Sequence, residues 1–255
     1  MKRRVAIYTV LAGNSYDSIK QFDSISDDVD YICFVKKGQK NKEVNGIWRV
    51  EEIDYDAKDN GRLSRYPKLQ PHKTFLSDYE YSLYIDGNII IKNDYVYQRI
   101  DELINCGTKI ALLKHPFRDC VYQEAYVCIA SMKGGWLDIL RQIFFLKRNS
   151  IPKHNGLYEA NVIFRKHNDA DVIAMDELWW ETFMKYSKRD QLSLVYALSK
   201  YKGKIDFFLP PGQTTRNHPS FEKISHLPQK PSTGKKVKHF IIKLLSGVAR
   251  KALKE

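Results

Sequence analysis

Short β-rich apolar runs alternate with longer segments of helical spacing along most of this chain. Residues 5–11, 31–35, 47–53, 81–85, 109–113, 158–165 and 205–209 read as strands. Residues 94–106, 120–131, 136–148, 171–186 and 190–200 carry helical spacing, and Pro67 is expected to open a further helix running through Lys73 towards Ser77. Strands alternating with helices imply an α/β layer architecture with a mixed, mostly parallel sheet flanked by helices. Ligands of such sheets sit beyond the carboxyl ends of the strands. Three loops fall there: 12–16, 86–88 and 115–119.

The segment Tyr81-Ser82-Leu83-Tyr84-Ile85-Asp86-Gly87-Asn88 ends an apolar strand on a carboxylate, with a second oxygen-bearing side chain two positions on. Such an Asp-x-Asn pair offers oxygen ligands to a hard cation, Mg²⁺ or Mn²⁺, that would neutralise a diphosphate leaving group. Asp-Gly between two β-rich runs is equally a signal for a tight hairpin. No Gly-x-Gly-x-x-Gly and no Walker lysine motif is present, which disfavours a dinucleotide-binding oxidoreductase or a P-loop kinase.

At 255 residues and 43% hydrophobic content the chain can bury a sizeable core. Cys33, Cys106, Cys120 and Cys128 show no Cys-x-x-Cys spacing and read as ordinary thiols of a reducing compartment. Lys2-Arg3-Arg4 before a short apolar run imitates a secretory leader, but the run carries Tyr8 and Thr9 and reads better as a first buried strand. No run approaches the ~20 apolar residues that span a bilayer. A cytoplasmic protein is expected.

The net charge is +12, and residues 235–255 hold seven Lys or Arg against one Glu, half of that excess. Val237, Phe240, Ile241, Leu244, Leu245, Val248 and Ala252 make one apolar stripe there, with Lys236, Lys243 and Arg250 on the other side. A basic amphipathic helix of this kind lies in a membrane interface, docks on the body or makes a dimer contact. The expected organisation is a catalytic body over 1–227, a linker over 228–234 and this helix over 235–255. The protein would then sit peripherally on the inner face of the membrane. No zinc finger, RNA-recognition signature or helix-turn-helix supports a nucleic-acid partner.

From about Arg62 to Pro210 an ordered set of segments resembles a known group. They are Arg65-Tyr66-Pro67-Lys68 with His72-Lys73, Tyr84-Ile85-Asp86-Gly87, the run from His115 to Ala125, Gly156-Leu157-Tyr158-Glu159, Phe164-Arg165-Lys166-His167-Asn168, Trp179-Trp180, and Arg189-Asp190-Gln191-Leu192-Ser193. The chain resembles the plant and bacterial glycosyltransferase-like proteins first catalogued as a domain of unknown function, with a glycosyltransferase A-type fold. The resemblance implies a nucleoside diphosphate sugar as donor and an Asp-x-Asp-like site. Asn88 stands where many glycosyltransferases carry the second Asp, so metal affinity should be weaker.

Within that frame each candidate has a functional and a structural reading. Arg65, Lys68 and Lys73 would grip donor phosphate, or form a solvated helix face. Thr9 and Asn14 border the first loop and would meet the nucleoside. Arg118, beside His115 and Glu124, would bind phosphate or an acidic sugar, or belong to a capping network around Asp119, itself an N-cap. Asp190 and Glu159 would orient or deprotonate an acceptor hydroxyl, with Asp190 favoured at a helix N-terminus, and Gln191 would bond sugar hydroxyls. One of Trp179 and Trp180 would stack on sugar while the other packs. His218, after the last expected strand, would complete the ion with Asp86 and Asn88, or be an exposed loop histidine. The leading reading is a glycosyltransferase acting on a glycan or lipid-linked acceptor in surface polysaccharide or glycolipid synthesis. Two rivals remain: a non-catalytic module binding nucleic acid or anionic glycan, and a nucleotidyltransferase.

Overall fold

The computed structural model describes residues 4–12, 21–39 and 46–224; Asn14 and the 235–255 stripe lie outside them. In chain order the elements are β1 (Val5–Leu11), β2 (Asp30–Val35), β3 (Trp48–Glu52), α1 (Asn60–Leu69), β4 (Tyr81–Ile85), β5 (Ile89–Ile91), α2 (Tyr95–Asn105), β6 (Ile110–Lys114), α3 (Val121–Ala130), α4 (Trp136–Arg148), β7 (Tyr158–Arg165), α5 (Ala170–Lys185), α6 (Asp190–Lys200), β8 (Asp206–Phe207) and β9 (Phe221–Lys223). The main sheet runs β3-β2-β1-β4-β7-β6-β8. Its pairings are parallel except along β7, which is antiparallel to both neighbours, β4 and β6. This is the mixed, mostly parallel α/β sheet that the alternation of runs implied.

The sheet is covered on both faces, so β1 is apolar on both sides. Val5 and Ile7 join a core against α2, with Val96, Ile100, Leu103 and Ile104. Ala6, Tyr8 and Val10 face the opposite core, built from Leu63 and Leu69 of α1 and Val172, Met175, Trp179 and Phe183 of α5. A third cluster packs α3, α4 and α6 together through Cys128, Ile139, Ile143, Leu146, Leu192 and Val195.

Three local expectations are corrected. Pro67 does not open a helix: α1 starts at Asn60, where the Asp59 side chain accepts the Arg62 N–H at 3.0 Å, and Pro67 lies in its final turns. The cap satisfies a free amide, whereas Pro67 only lacks a donor near an end that stops two residues later. The chain then continues in two 3₁₀ turns, Pro71–Lys73 and Phe75–Asp78. The late strand shrinks to Asp206–Phe207 at the sheet edge. Asp86-Gly87 is a turn, closed by the Ile89 N–H on the Asp86 carbonyl at 2.9 Å, yet not a hairpin. After it the chain leaves the main sheet, and β5 pairs with β9, a strand the hydrophobic pattern does not announce.

Candidate active site

Parallel strands deliver Leu11, Val35, Glu52, Ile85 and Lys114 to one edge of the sheet. Because β7 runs the other way, it brings its first residues, Tyr158 and Glu159, to that same edge. Pairing of β6 with β7 jumps from Leu112↔Ile163 to Leu113↔Glu159, so residues 160–162 bulge towards β4. The Asp86 N–H bonds the Asn161 carbonyl at 2.9 Å within that bulge. Bulges of this kind re-aim side chains beside sites. A cavity of about 300 Å³ opens between the end of β1, the first turns of α1 and the Asp86 turn, with Arg65, Tyr84, Asp86 and Asn88 in its wall.

Asp190 is the hub beside that cavity. It opens α6 and is buried, and its Oδ2 accepts from Lys68 Nζ at 2.6 Å and from Arg65 Nε at 3.2 Å. Burial alone would raise its carboxyl, but Lys68, Arg65 and Arg189 overcome burial and hold it far below the usual carboxylate range. Asp190 in turn raises Arg65 further above its ordinary value. Trp179, fully buried, donates its indole N–H to the Asp190 carbonyl at 2.8 Å, and this sets the entry of α6. Lys68 Nζ also lies 3.9 Å from Asp86 Oδ1 and 4.8 Å from the Tyr84 ring centre. Tyr84 donates its hydroxyl to Asp86 Oδ1 at 2.8 Å, and burial followed by Asp86 pushes that phenol well up.

The opposite side carries Glu159, also buried, with Oε1 bonded to Arg216 and Oε2 without a hydrogen-bond partner among the described residues. Neighbouring Asn161 donates to Thr215 Oγ1 at 3.0 Å, and its Oδ1 is likewise unpartnered there. Gln191 bonds the Tyr158 carbonyl at 2.8 Å and ties α6 to the start of β7. Lys223 completes this side: burial and then Arg216 lower its ammonium, with Asp86 and Glu159 opposing.

Most of the remaining candidates have partners of their own. Lys73 and His72 pair with Glu177 on α5, away from Asp86. Arg118 bonds Glu124 at 2.7 Å, and His115 Nδ1 accepts the Phe117 and Arg118 amides, so this cluster knits its own loop. Thr9 is buried under the Asp86 turn, where a Cβ on Gly87 would meet its Oγ1 at 3.3 Å. Trp180 packs among Tyr55, Tyr66 and Phe183. Trp179 is fully buried, while Trp180 is half-buried and lines an open cavity along α5.

Around the Asp86 turn the described residues bring a divalent ion two oxygen-bearing side chains, Asp86 and Asn88. The β5–β9 register sets Lys223 opposite Ile89 and Phe221 opposite Ile91, with Ile224 beside Asn88. His218 therefore lies past the far end of that pair, its ring 4.7 Å from Tyr95. The Asn88 amide donates to the Ile224 carbonyl at 2.9 Å, so this side chain clips β9 to the turn. Among the described residues no three His, Cys, Asp or Glu side chains gather as metal ligands.

Tyr84 was legible as a neighbour two positions before Asp86. Lys223 and the fully buried pair Arg165–Asp176, 2.7 Å apart, were not. Arg165 also donates to the Lys68 carbonyl at 2.6 Å, fixing the backbone that carries Lys68.

A family model for the TOD1/MUCI70 glycosyltransferase-like domain matches residues 11–217. The chain belongs to that family. The TOD1/MUCI70 match spans Arg65, Lys68, Asp86, Glu159 and Asp190 alike. No curated protein sequence matches. Among solved structures, the apo WbbM bifunctional glycosyltransferase is similar at 12% identity and TM-score 0.44, over 81% of this chain and 38% of that one. The chain thus spans well under half of WbbM. Mouse xyloside xylosyltransferase 1 matches at 6% identity and TM-score 0.45, over 80% and 84% of the two chains. A 4-diphosphocytidyl-2C-methyl-D-erythritol synthase from Anaerococcus prevotii matches at 11% and 0.45, over 96% of each. With scores this low, none of them carries an argument about what this chain does.

Proposed function

We propose that this protein transfers a sugar from a nucleoside diphosphate sugar to an acceptor hydroxyl. The observation that carries the reading is the cavity at the carboxyl edge of β1 and β4. It places Asp86 and the Arg65 guanidinium in one wall, with buried Glu159 and Asp190 on the strand and helix beside it. Arg65 meets phosphate oxygens in forked geometry. Asp86, held by Tyr84 and the turn, orients the sugar. Asp190 is too firmly paired to serve as a base, because a carboxylate held so far down binds a proton weakly. It instead fixes Lys68 and Arg65. Glu159, whose buried Oε2 has no hydrogen-bond partner among the described residues, takes the acceptor proton, and Gln191 holds the start of β7 in place for it.

The same reading carries a glycan or lipid-linked acceptor in surface polysaccharide or glycolipid synthesis, met at the inner face of a membrane through the basic 235–255 stripe. No described helix is long and apolar enough to cross a bilayer. The test is a panel of UDP-, GDP-, CDP- and dTDP-sugars, scored for release of the nucleoside diphosphate. Release from one donor class, raised by an acceptor, is expected. Formation of a nucleotide sugar from nucleoside triphosphate and sugar phosphate would overturn transfer in favour of nucleotidyl chemistry.

A further inference from the structure

The crevice supplies its own cations where a metal ion would be expected. Lys68 is only 3% exposed, yet its ammonium lies between two carboxylates, 2.6 Å from Asp190 and 3.9 Å from Asp86. A divalent ion on Asp86 would bind about 2.1 Å from its oxygen, and so within about 6 Å of that ammonium in a partly dry site. Like charges at that range repel strongly when water is scarce. Asp86 Oδ1 already accepts the Tyr84 hydroxyl, and Asn88, whose amide nitrogen is tied to Ile224, has only its neutral Oδ1 to offer an ion. The late segment expected to bring an imidazole brings Arg216 and Lys223 instead, which act electrostatically on each other and, through Lys223, on Asp86 and Glu159. Arg189 adds a further positive charge beside Asp190.

We propose that Arg65 and Lys223, backed by the buried ammonium of Lys68, bind and neutralise the donor diphosphate without a divalent cation. The proposal rests on the glycosyltransferase reading. In the reaction the bond between the anomeric carbon and the diphosphate oxygen breaks, and its electron pair leaves on the nucleoside diphosphate. The acceptor oxygen forms the new bond to that carbon, and its proton passes to Glu159. The charge growing on the leaving oxygen is met by fixed cations in place before the donor arrives, so little reorganisation is needed.

The experiment is calorimetric titration of the wild-type protein with UDP, GDP, CDP and dTDP in excess EDTA, then in Mn²⁺ and in Mg²⁺, with turnover measured in the same three buffers. One diphosphate should bind and one donor should turn over equally well in all three. Arg65→Gln and Lys223→Gln should each weaken that binding in EDTA by about tenfold, the scale of a lost charge-assisted contact. Binding and turnover that appear only with Mn²⁺ or Mg²⁺ would overturn the proposal and leave glycosyl transfer standing. If no diphosphate binds under any condition, the glycosyltransferase reading itself falls. The wild-type comparison does not depend on any variant folding.

Discussion

At Asp190 a carboxylate with 8% side-chain exposure faces Lys68, itself 3% exposed, and Arg65. Removing one member of such a set leaves buried charge uncompensated. Asp190→Asn is therefore expected to cost about 3 kcal/mol, read as a melting temperature lower by roughly 6–12 °C. A folded variant of wild-type stability with turnover cut by orders of magnitude would instead make Asp190 the acceptor base. Asp86 is different, since its side chain is 36% exposed and borders the cavity. Asp86→Ala should abolish transfer while circular dichroism and melting stay near wild type. Full activity in that folded variant would reduce Asp86 to a turn residue. Asp86 was visible in the sequence because a strand end and an Asp-Gly step are local signals. The Asp190–Lys68 contact was not, because 122 residues separate its partners and nothing in spacing reports a pairing across the fold.

The small β5–β9 pair is the element on which the site's shape turns. Both helices and strands of the main layer were legible as periodic runs, and β7 and α6 keep the bounds their spacing indicates. Two three-residue strands give no period to read, and their pairing is long-range. That is why His218 looked available to the cation and Lys223 did not. The clip also gives Asn88 a role open to test. Asn88→Ala removes the amide that holds Ile224 and should weaken nucleoside diphosphate binding by a few-fold, with a stability loss near 1 kcal/mol, typical of one hydrogen bond. A changed Mn²⁺ requirement in that variant would return Asn88 to the ion.

For the whole molecule, acid sensitivity follows from buried titratable groups. His167 is fully buried, its Nε2 2.7 Å from the Leu76 carbonyl, and burial pushes its imidazole down to about 4. Between about pH 6.5 and 4 the unfolded chain takes up this proton and the folded one does not, so the contribution of His167 to stability falls as pH drops through that window, against the opposite contribution of Asp176, whose carboxyl burial raises to about 7. The full loss is about 3 kcal/mol. Asp190 extends the loss below that range, because a depressed carboxyl stabilises only while ionised. His167→Gln should make melting temperature fall less, or rise more, on acidification from pH 6.5 to 4; an unchanged slope would show that another group carries it. The basic stripe predicts a separate behaviour. Deleting 235–255 should abolish sedimentation with anionic liposomes yet keep turnover on a soluble acceptor, whereas a full-length protein that ignores such liposomes at low salt has no membrane role there.

The bond from Asn88 to Ile224 joins residues 136 positions apart. During synthesis the Asp86 turn emerges long before its clasp. At about 5–20 residues per second, the ribosome needs roughly 7–27 seconds more to make Ile224. For that interval the turn is present without Lys223, Arg216 or the strand that seats them. On the proposed reading a nascent chain would not yet hold a donor, and nucleoside diphosphate binding would report the arrival of the last described strand.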